Sequence, residues 1–210
     1  MIRVLIADDH AILRHGLKEI LLRELDGTVC DEAKDATEAL ARIQDGHWDL
    51  VILDITMPGR SGLDVLRDLK AVRPNLPVLV LSMHSEDQYG KRTLRAGASG
   101  YMNKESAPEE LIKAARRVLG GGTYVSAALA EKLAFDLSED AGRPIHEALS
   151  GREFEILRMI AVGRTVRQIA EELHLRLTTV STYRARILKK LGMTHTVELM
   201  RYALSNHLID

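Results

Sequence analysis

Leu50-Val51-Ile52-Leu53-Asp54-Ile55-Thr56-Met57-Pro58-Gly59 is an aliphatic run that stops on a carboxylate and then on a turn. Four consecutive aliphatic residues closed by Pro58-Gly59 read as a strand covered on both faces, with Asp54 at its carboxyl end. Taken alone, Asp54 also admits a helix N-cap or a surface turn acid, since Asp is common at such ends. The elements on either side decide between these readings.

Upstream, Arg3-Val4-Leu5-Ile6-Ala7 is a second aliphatic run. It ends on Asp8-Asp9 and is followed by helical spacing through Ile12, Leu13, Leu17, Ile20, Leu21 and Leu25. Thr28-Val29-Cys30 is a weaker strand, and Asp35 or Thr37 opens a helix carrying Ala39, Leu40 and Ile43. Downstream, Leu63, Val65, Leu66 and Leu69 fall at helical spacing, and Val78-Leu79-Val80-Leu81 makes a fourth strand ending on Ser82. A helix from Glu86 to Ala96 follows, then a short strand Gly100-Tyr101-Met102-Asn103 ending on Lys104. Pro108 opens a last helix through Leu111, Ile112, Ala115 and Leu119, which Gly120-Gly121-Gly122 ends.

Strands alternating with helices at this spacing predict an α/β domain over residues 1–125, a flavodoxin-like, doubly wound, five-stranded parallel sheet. In such sheets function sits beyond the carboxyl ends of the strands. Those ends carry Asp8-Asp9, Asp54, Ser82 and Lys104. A structural role accounts for any one of them, but not for three acids, a hydroxyl and an ammonium on one edge. Three close carboxylates repel one another, and a hard divalent cation such as Mg²⁺, which takes oxygen ligands, relieves that repulsion. With the cation and Lys104 neutralising an incoming phosphoryl group, a carboxylate can attack phosphorus and form an acyl phosphate. Ser82 can then hydrogen-bond a phosphoryl oxygen.

Residues 1–125 thus resemble a response-regulator receiver domain of a two-component system. The resemblance rests on Asp8-Asp9, on Asp54 with Met57-Pro58 and Gly62, on Ser82, on Ala96-Gly97-Ala98-Ser99-Gly100-Tyr101, and on Lys104. It implies that Asp54 accepts a phosphoryl group from a histidine kinase. Asp9 and Asp54 would ligate Mg²⁺ directly, Asp8 largely through water, and the carbonyl of Thr56 would complete the protein ligands. Ser82 would swing toward the phosphate and Tyr101 would follow. Many receivers carry Pro after the lysine; here Glu105 stands there, so an ordinary trans bond is expected.

At 210 residues the chain is long enough for two domains. Its net charge of -1 is unevenly spread: residues 147–210 hold ten Lys+Arg and seven Asp+Glu, hence +3, while the remainder holds 19 and 23, hence -4. One cysteine, Cys30, excludes an intrachain disulfide and a multi-Cys zinc site. No run approaches the roughly 18 apolar residues of a membrane span. A cytoplasmic protein with no membrane partner is expected.

Ser138-Glu139-Asp140-Ala141-Gly142-Arg143-Pro144 has the character of a linker, placed at 126–146 together with a modest helical stretch from Ala127 to Leu137. Ser150-Gly151-Arg152-Glu153 and Thr165-Val166-Arg167-Gln168 are capping boxes opening two helices. A tight turn leads to a third helix from Thr178 to Leu191, and Thr196 to Leu204 supplies a fourth. Residues 147–210 therefore form a second, smaller, all-α four-helix domain containing a helix-turn-helix. Between Leu173 and Val197 there are five Lys+Arg and no Asp or Glu, which suits a polyanion.

This segment resembles the LuxR-type helix-turn-helix of the NarL/FixJ subfamily through Leu149-Ser150-Gly151-Arg152-Glu153, Ile169-Ala170, Thr179-Val180 and Lys190-Leu191-Gly192. The resemblance implies a third helix in the major groove of double-stranded DNA. Ser181, Thr182 and Ala185 would face base edges; Tyr183, Arg184, Arg186 and Lys189 would contact phosphates or the groove wall. Arg176 and Thr178 depart from the pattern, removing a Ser-type N-cap and a basic side chain at the front of that helix. Val197, Met200 and Leu204 would form the surface of a homodimer when the protein is active. The whole chain then reads as a transcriptional regulator switched by phosphorylation. The alternatives are an aspartate-nucleophile phosphatase, which usually needs a second Asp where Thr56 stands, and a DNA-binding protein independent of phosphorylation.

Overall fold

The computed structural model describes residues 1–58, 60–106, 108–138 and 144–209. Gly59 of the Pro58-Gly59 turn and residues 139–143 of the expected linker lie outside the described residues. The chain divides into two compact units, 1–140 and 141–210.

In the first unit five strands, β1 (Ile2–Ala7), β2 (Thr28–Ala33), β3 (Leu50–Asp54), β4 (Val78–Ser82) and β5 (Gly100–Asn103), form one parallel sheet in the order β2-β1-β3-β4-β5. The helices between and after them are α1 (Ala11–Glu24), α2 (Ala36–Asp45), α3 (Gly62–Val72), α4 (Glu86–Arg95), α5 (Pro108–Leu119) and α6 (Ala127–Ser138). Every residue of β3 and β4 is buried, as the unbroken aliphatic runs demand of strands covered on both faces. Leu17 and Leu21 of α1 and Leu111 and Ala115 of α5 pack with Val4, Ile6, Leu50, Ile52, Leu79 and Leu81 on one side of the sheet. α2 and α3 pack on each other and on β1 and β3.

β2 runs three residues past the end of its apolar pattern. Asp31, Glu32 and Ala33 pair in register with Leu5, Ile6 and Ala7. β2 lies at the edge of the sheet, so polar side chains there stay half-exposed, and Glu32 binds Arg14 and Lys18 of α1. The peptide before Glu105 is trans, since none of the described peptide bonds is cis. The helical part of the expected linker, α6, lies against α4 within this unit, with Leu129 buried and the Ser126 hydroxyl bonded to Glu86.

Among its described residues the second unit contains a short 3-10 turn (Ile145–Ala148) and four helices, α7 (Gly151–Ala161), α8 (Val166–Glu172), α9 (Leu177–Leu191) and α10 (Thr196–Ser205). Both capping boxes form: Ser150 with Glu153 opens α7, and Thr165 with Gln168 opens α8. α9 starts at Leu177 and no side chain caps it, in keeping with Arg176 at the N-cap. It ends on Gly192, whose φ of 67° is the left-handed cap that glycine adopts without steric cost. Val180, Ile187 and Leu191 are its buried face, packed with α7 and α8. Among the described residues no helix is long and apolar enough to cross a membrane.

Candidate functional site

The parallel register brings the carboxyl ends of β1, β3, β4 and β5 to one edge. Asp8 follows β1, Asp54 is the last residue of β3, Ser82 is the last of β4, and Lys104 follows β5. The Lys104 N–H donates to the Ser82 carbonyl at 2.9 Å, extending the β4–β5 ladder by one residue. The Lys104 side chain is 4% exposed, and its Nζ lies 2.6 Å from Asp8 Oδ2 and 2.7 Å from Asp54 Oδ2. One ammonium therefore bridges two buried carboxylates from different strands.

Asp54 receives a second donor, the Thr56 N–H, at 2.8 Å from Oδ1. Burial pushes the Asp54 carboxyl above its ordinary value; the Lys104 charge and the Thr56 N–H pull the other way without cancelling that shift. Burial works against the charge on Lys104, but Asp54 and Asp8 outweigh it and the ammonium titrates above its usual value. Gly62 is needed next to this site. A Cβ there would sit 2.1 Å from the Asp54 carbonyl oxygen, because the Gly62 N–H folds back onto the Ile55 carbonyl at 3.1 Å.

Asp9 stands at the rim. One ligand atom from each of Asp8, Asp9, His10 and Asp54 lies within 4.8 Å of the others. Asp8 Oδ2 is buried against Lys104 Nζ, and the buried Asp9 Oδ1 has only the His10 Nδ1, at 2.9 Å, beside it. The carboxylate oxygens of this set fit a hard divalent cation. Ser82 Oγ accepts from the His84 N–H at 3.0 Å. Tyr101 is fully buried, and its hydroxyl bonds the His84 carbonyl. Cys30 is a buried thiol whose pKa desolvation raises to about 11, unlike a nucleophile.

In the second unit, Thr178, Thr182, Ala185, Arg186 and Lys189 are exposed along α9, while Ser181, Tyr183 and Arg184 are half-buried. On α10, Val197 and Leu204 are exposed and Met200 is half-buried. The second helix of the tight pair thus offers a basic, small-residue face opposite its packed one.

Comparison with known families accounts for both units. Residues 4–116 match the response regulator receiver domain, and residues 147–203 match the luxR family of bacterial regulatory proteins. The chain belongs to the LuxR-type response regulators. It is 35% identical over 215 residues to the oxygen regulatory protein NreC of Staphylococcus carnosus, covering 99% of both chains. It is 33% identical to the response regulator UvrY of Escherichia coli, covering 100% of this chain and 97% of that one. Among solved structures it is similar to RcsB of Salmonella enterica serovar Typhimurium bound to promoter rprA with the phosphomimetic BeF3⁻. That similarity has a TM-score of 0.62 at 27% identity and spans 98% of this chain and 100% of that one.

Three partners of this response regulator's sites escape a reading by strand ends and helix faces. His10 places its ring against Asp8 and Asp9, a position signalled only by its following them in the turn. Arg14 donates from Nη1 to the Asp8 carbonyl at 2.7 Å and is anchored by Glu32 at 3.2 Å. Lys190 Nζ reaches Glu153 Oε2 at 2.6 Å, tying the end of α9 to the capping box of α7.

Proposed function

We propose that this response regulator is switched by phosphorylation of Asp54. The observation that carries the reading is the Lys104 bridge between Asp8 and Asp54 at the edge of the sheet. A carboxylate oxygen of Asp54 attacks the phosphorus of a phosphohistidine on a sensor histidine kinase. The P–N bond breaks and the imidazole leaves with the electron pair. Lys104 holds negative charge on the phosphoryl oxygens, and the Ser82 hydroxyl turns from the His84 N–H to one of them. Asp8, Asp9, Asp54 and the Thr56 carbonyl would hold Mg²⁺, which when bound supplies positive charge to the same oxygens. The acyl phosphate is later lost to water, so the site turns over only to erase its signal.

Residues 1–125 act as the receiver, 126–146 as the connector and 147–210 as the DNA-binding domain. α9 enters the major groove with Ser181, Thr182 and Ala185 toward base edges; Thr178, Tyr183, Arg184, Arg186 and Lys189 lie against the backbone or groove wall. Val197, Met200 and Leu204 of α10 meet a second copy on paired half-sites, in the cytoplasm. Phosphorylation shifts the population toward this dimer.

Acetyl phosphate with Mg²⁺ labels the wild-type protein at one residue, and Asp54→Asn abolishes the label while circular dichroism shows the fold retained. Undiminished labelling of the variant would overturn the assignment.

A further inference from the structure

The ring of His10 is not used in the chemistry above, yet it points into the acid pocket. Nδ1 stands 2.9 Å from Asp9 Oδ1 and 3.2 Å from Asp8 Oδ1. The turn itself sets this position, since the His10 N–H donates to Asp8 Oδ1 at 2.8 Å. Helix capping does not explain it: His10 is the N-cap of α1, but its side chain bonds no helical N–H. Asp8, Asp9, His10 and Asp54 each bring one ligand atom within 4.8 Å of the others.

Oxygen donors alone suit Mg²⁺, whereas an imidazole beside carboxylates shifts preference toward borderline first-row cations. Imidazole is also the commonest protein ligand for those metals. We propose that His10 supplies a nitrogen donor to the cation site, so that the pocket takes a transition cation such as Mn²⁺ or Zn²⁺ in competition with Mg²⁺. The inference rests on reading Asp8, Asp9 and Asp54 as a cation site and adds the residue that sets its metal preference. A hydrogen bond from Nδ1–H to the acids is the competing account of the same distances, and it leaves no lone pair at Nδ1 for a metal.

The chain has 8 histidines, so the test compares full-length wild type with His10→Ala and Asp9→Asn. One equivalent of Cu²⁺ serves as the probe in pulsed electron paramagnetic resonance. Nitrogen coupling is expected in the wild type and is lost in both variants, which ties the nitrogen to this pocket. In competition against a fluorescent chelator, His10→Ala weakens Zn²⁺ at least about tenfold more than it weakens Mg²⁺. His10 is 65% exposed and caps nothing, so the Ala variant keeps the fold, checked by circular dichroism. Coupling that survives in either variant, or equal loss of Zn²⁺ and Mg²⁺ affinity, overturns the proposal. Labelling of the wild type by acetyl phosphate with Mg²⁺, run alongside, separates the two claims. Absent labelling removes the phosphoacceptor reading, while normal labelling without a His10-dependent nitrogen signal removes this inference alone.

Discussion

Tyr101 Oη donates a 2.8 Å hydrogen bond to the carbonyl oxygen of His84, tying the middle of β5 to the loop that leaves Ser82. The same His84 gives its N–H to Ser82 Oγ at 3.0 Å, and its ring stacks on Tyr89 of α4 with centroids 4.6 Å apart. His84 is thus held by Ser82, Tyr101 and α4 at once. A movement of the Ser82 hydroxyl toward a phosphoryl oxygen, as proposed above, would release one of these holds and reach α4 through His84. Tyr101→Phe removes a neutral hydrogen bond and is expected to lower the stability of the first unit by about 1 kcal/mol. Trp48, the single tryptophan, lies in that unit, so its fluorescence in a urea titration reads the change. An unmoved midpoint would show that the hydroxyl contributes nothing there.

Gly62 is the tightest contact of the site. Its added Cβ would lie 2.1 Å from the Asp54 carbonyl oxygen and 2.6 Å from Ile55 Cα, both backbone atoms that cannot swing aside. Gly62→Ala is expected to cost about 2 kcal/mol by overpacking and to slow labelling of Asp54. Gly16, with nothing within 4 Å of an added Cβ inside α1, is the control. There Ala is expected to stabilise by up to about 1 kcal/mol. Equal effects at the two positions would refute the steric argument.

Burial opposes the charge on Glu153, but Lys190 and the Ser150 N–H outweigh it and hold the carboxyl below its ordinary 4.5. A depressed carboxyl contributes stability that is fully present above 4.5 and is lost as pH falls through the folded-state value. Lys190→Met leaves Glu153 with its capping contacts alone. It is expected to cost about 1–2 kcal/mol at neutral pH, discounted because the lysine is partly in solvent. In thermal melts the gap between wild type and variant should close as the pH is lowered into the acid range. A gap independent of pH would mean that the ion pair is not its source.

Lys189 is exposed on the basic face of α9. Lys189→Ala is expected to weaken binding about equally across DNA sequences and to reduce the slope of log affinity against log salt by about 1. Fluorescence anisotropy at several salt concentrations measures both quantities. An unchanged slope would remove Lys189 from the phosphate contacts.

Much of the fold can be read along the chain because period and punctuation are local. Leu50 to Leu53 read as a buried strand because an unbroken aliphatic run is closed by Pro58-Gly59, and Ser150 and Thr165 announce helices three residues before Glu153 and Gln168. The end of β2 is harder to read, because Asp31 and Glu32 are polar and belong to the sheet only through their register with Leu5 and Ile6. His10 and Arg14 stay hidden for a related reason: neither sits at a strand end, and each acts on Asp8 through the way the turn and α1 fold back.

The amino-acid sequence by itself determined which groups reach the edge of the sheet, since the runs of β1, β3 and β4 and the short strand β5 each end on an acid, a hydroxyl or an amine. Tertiary structure alone decided how those groups are paired. Lys104 is 50 residues from Asp54 along the chain, and Lys190 is 37 from Glu153. Neither spacing corresponds to a helical or strand period. Only the parallel register of β3, β4 and β5, and the packing of α9 on α7, bring these charges within 3 Å, where burial makes their interaction count.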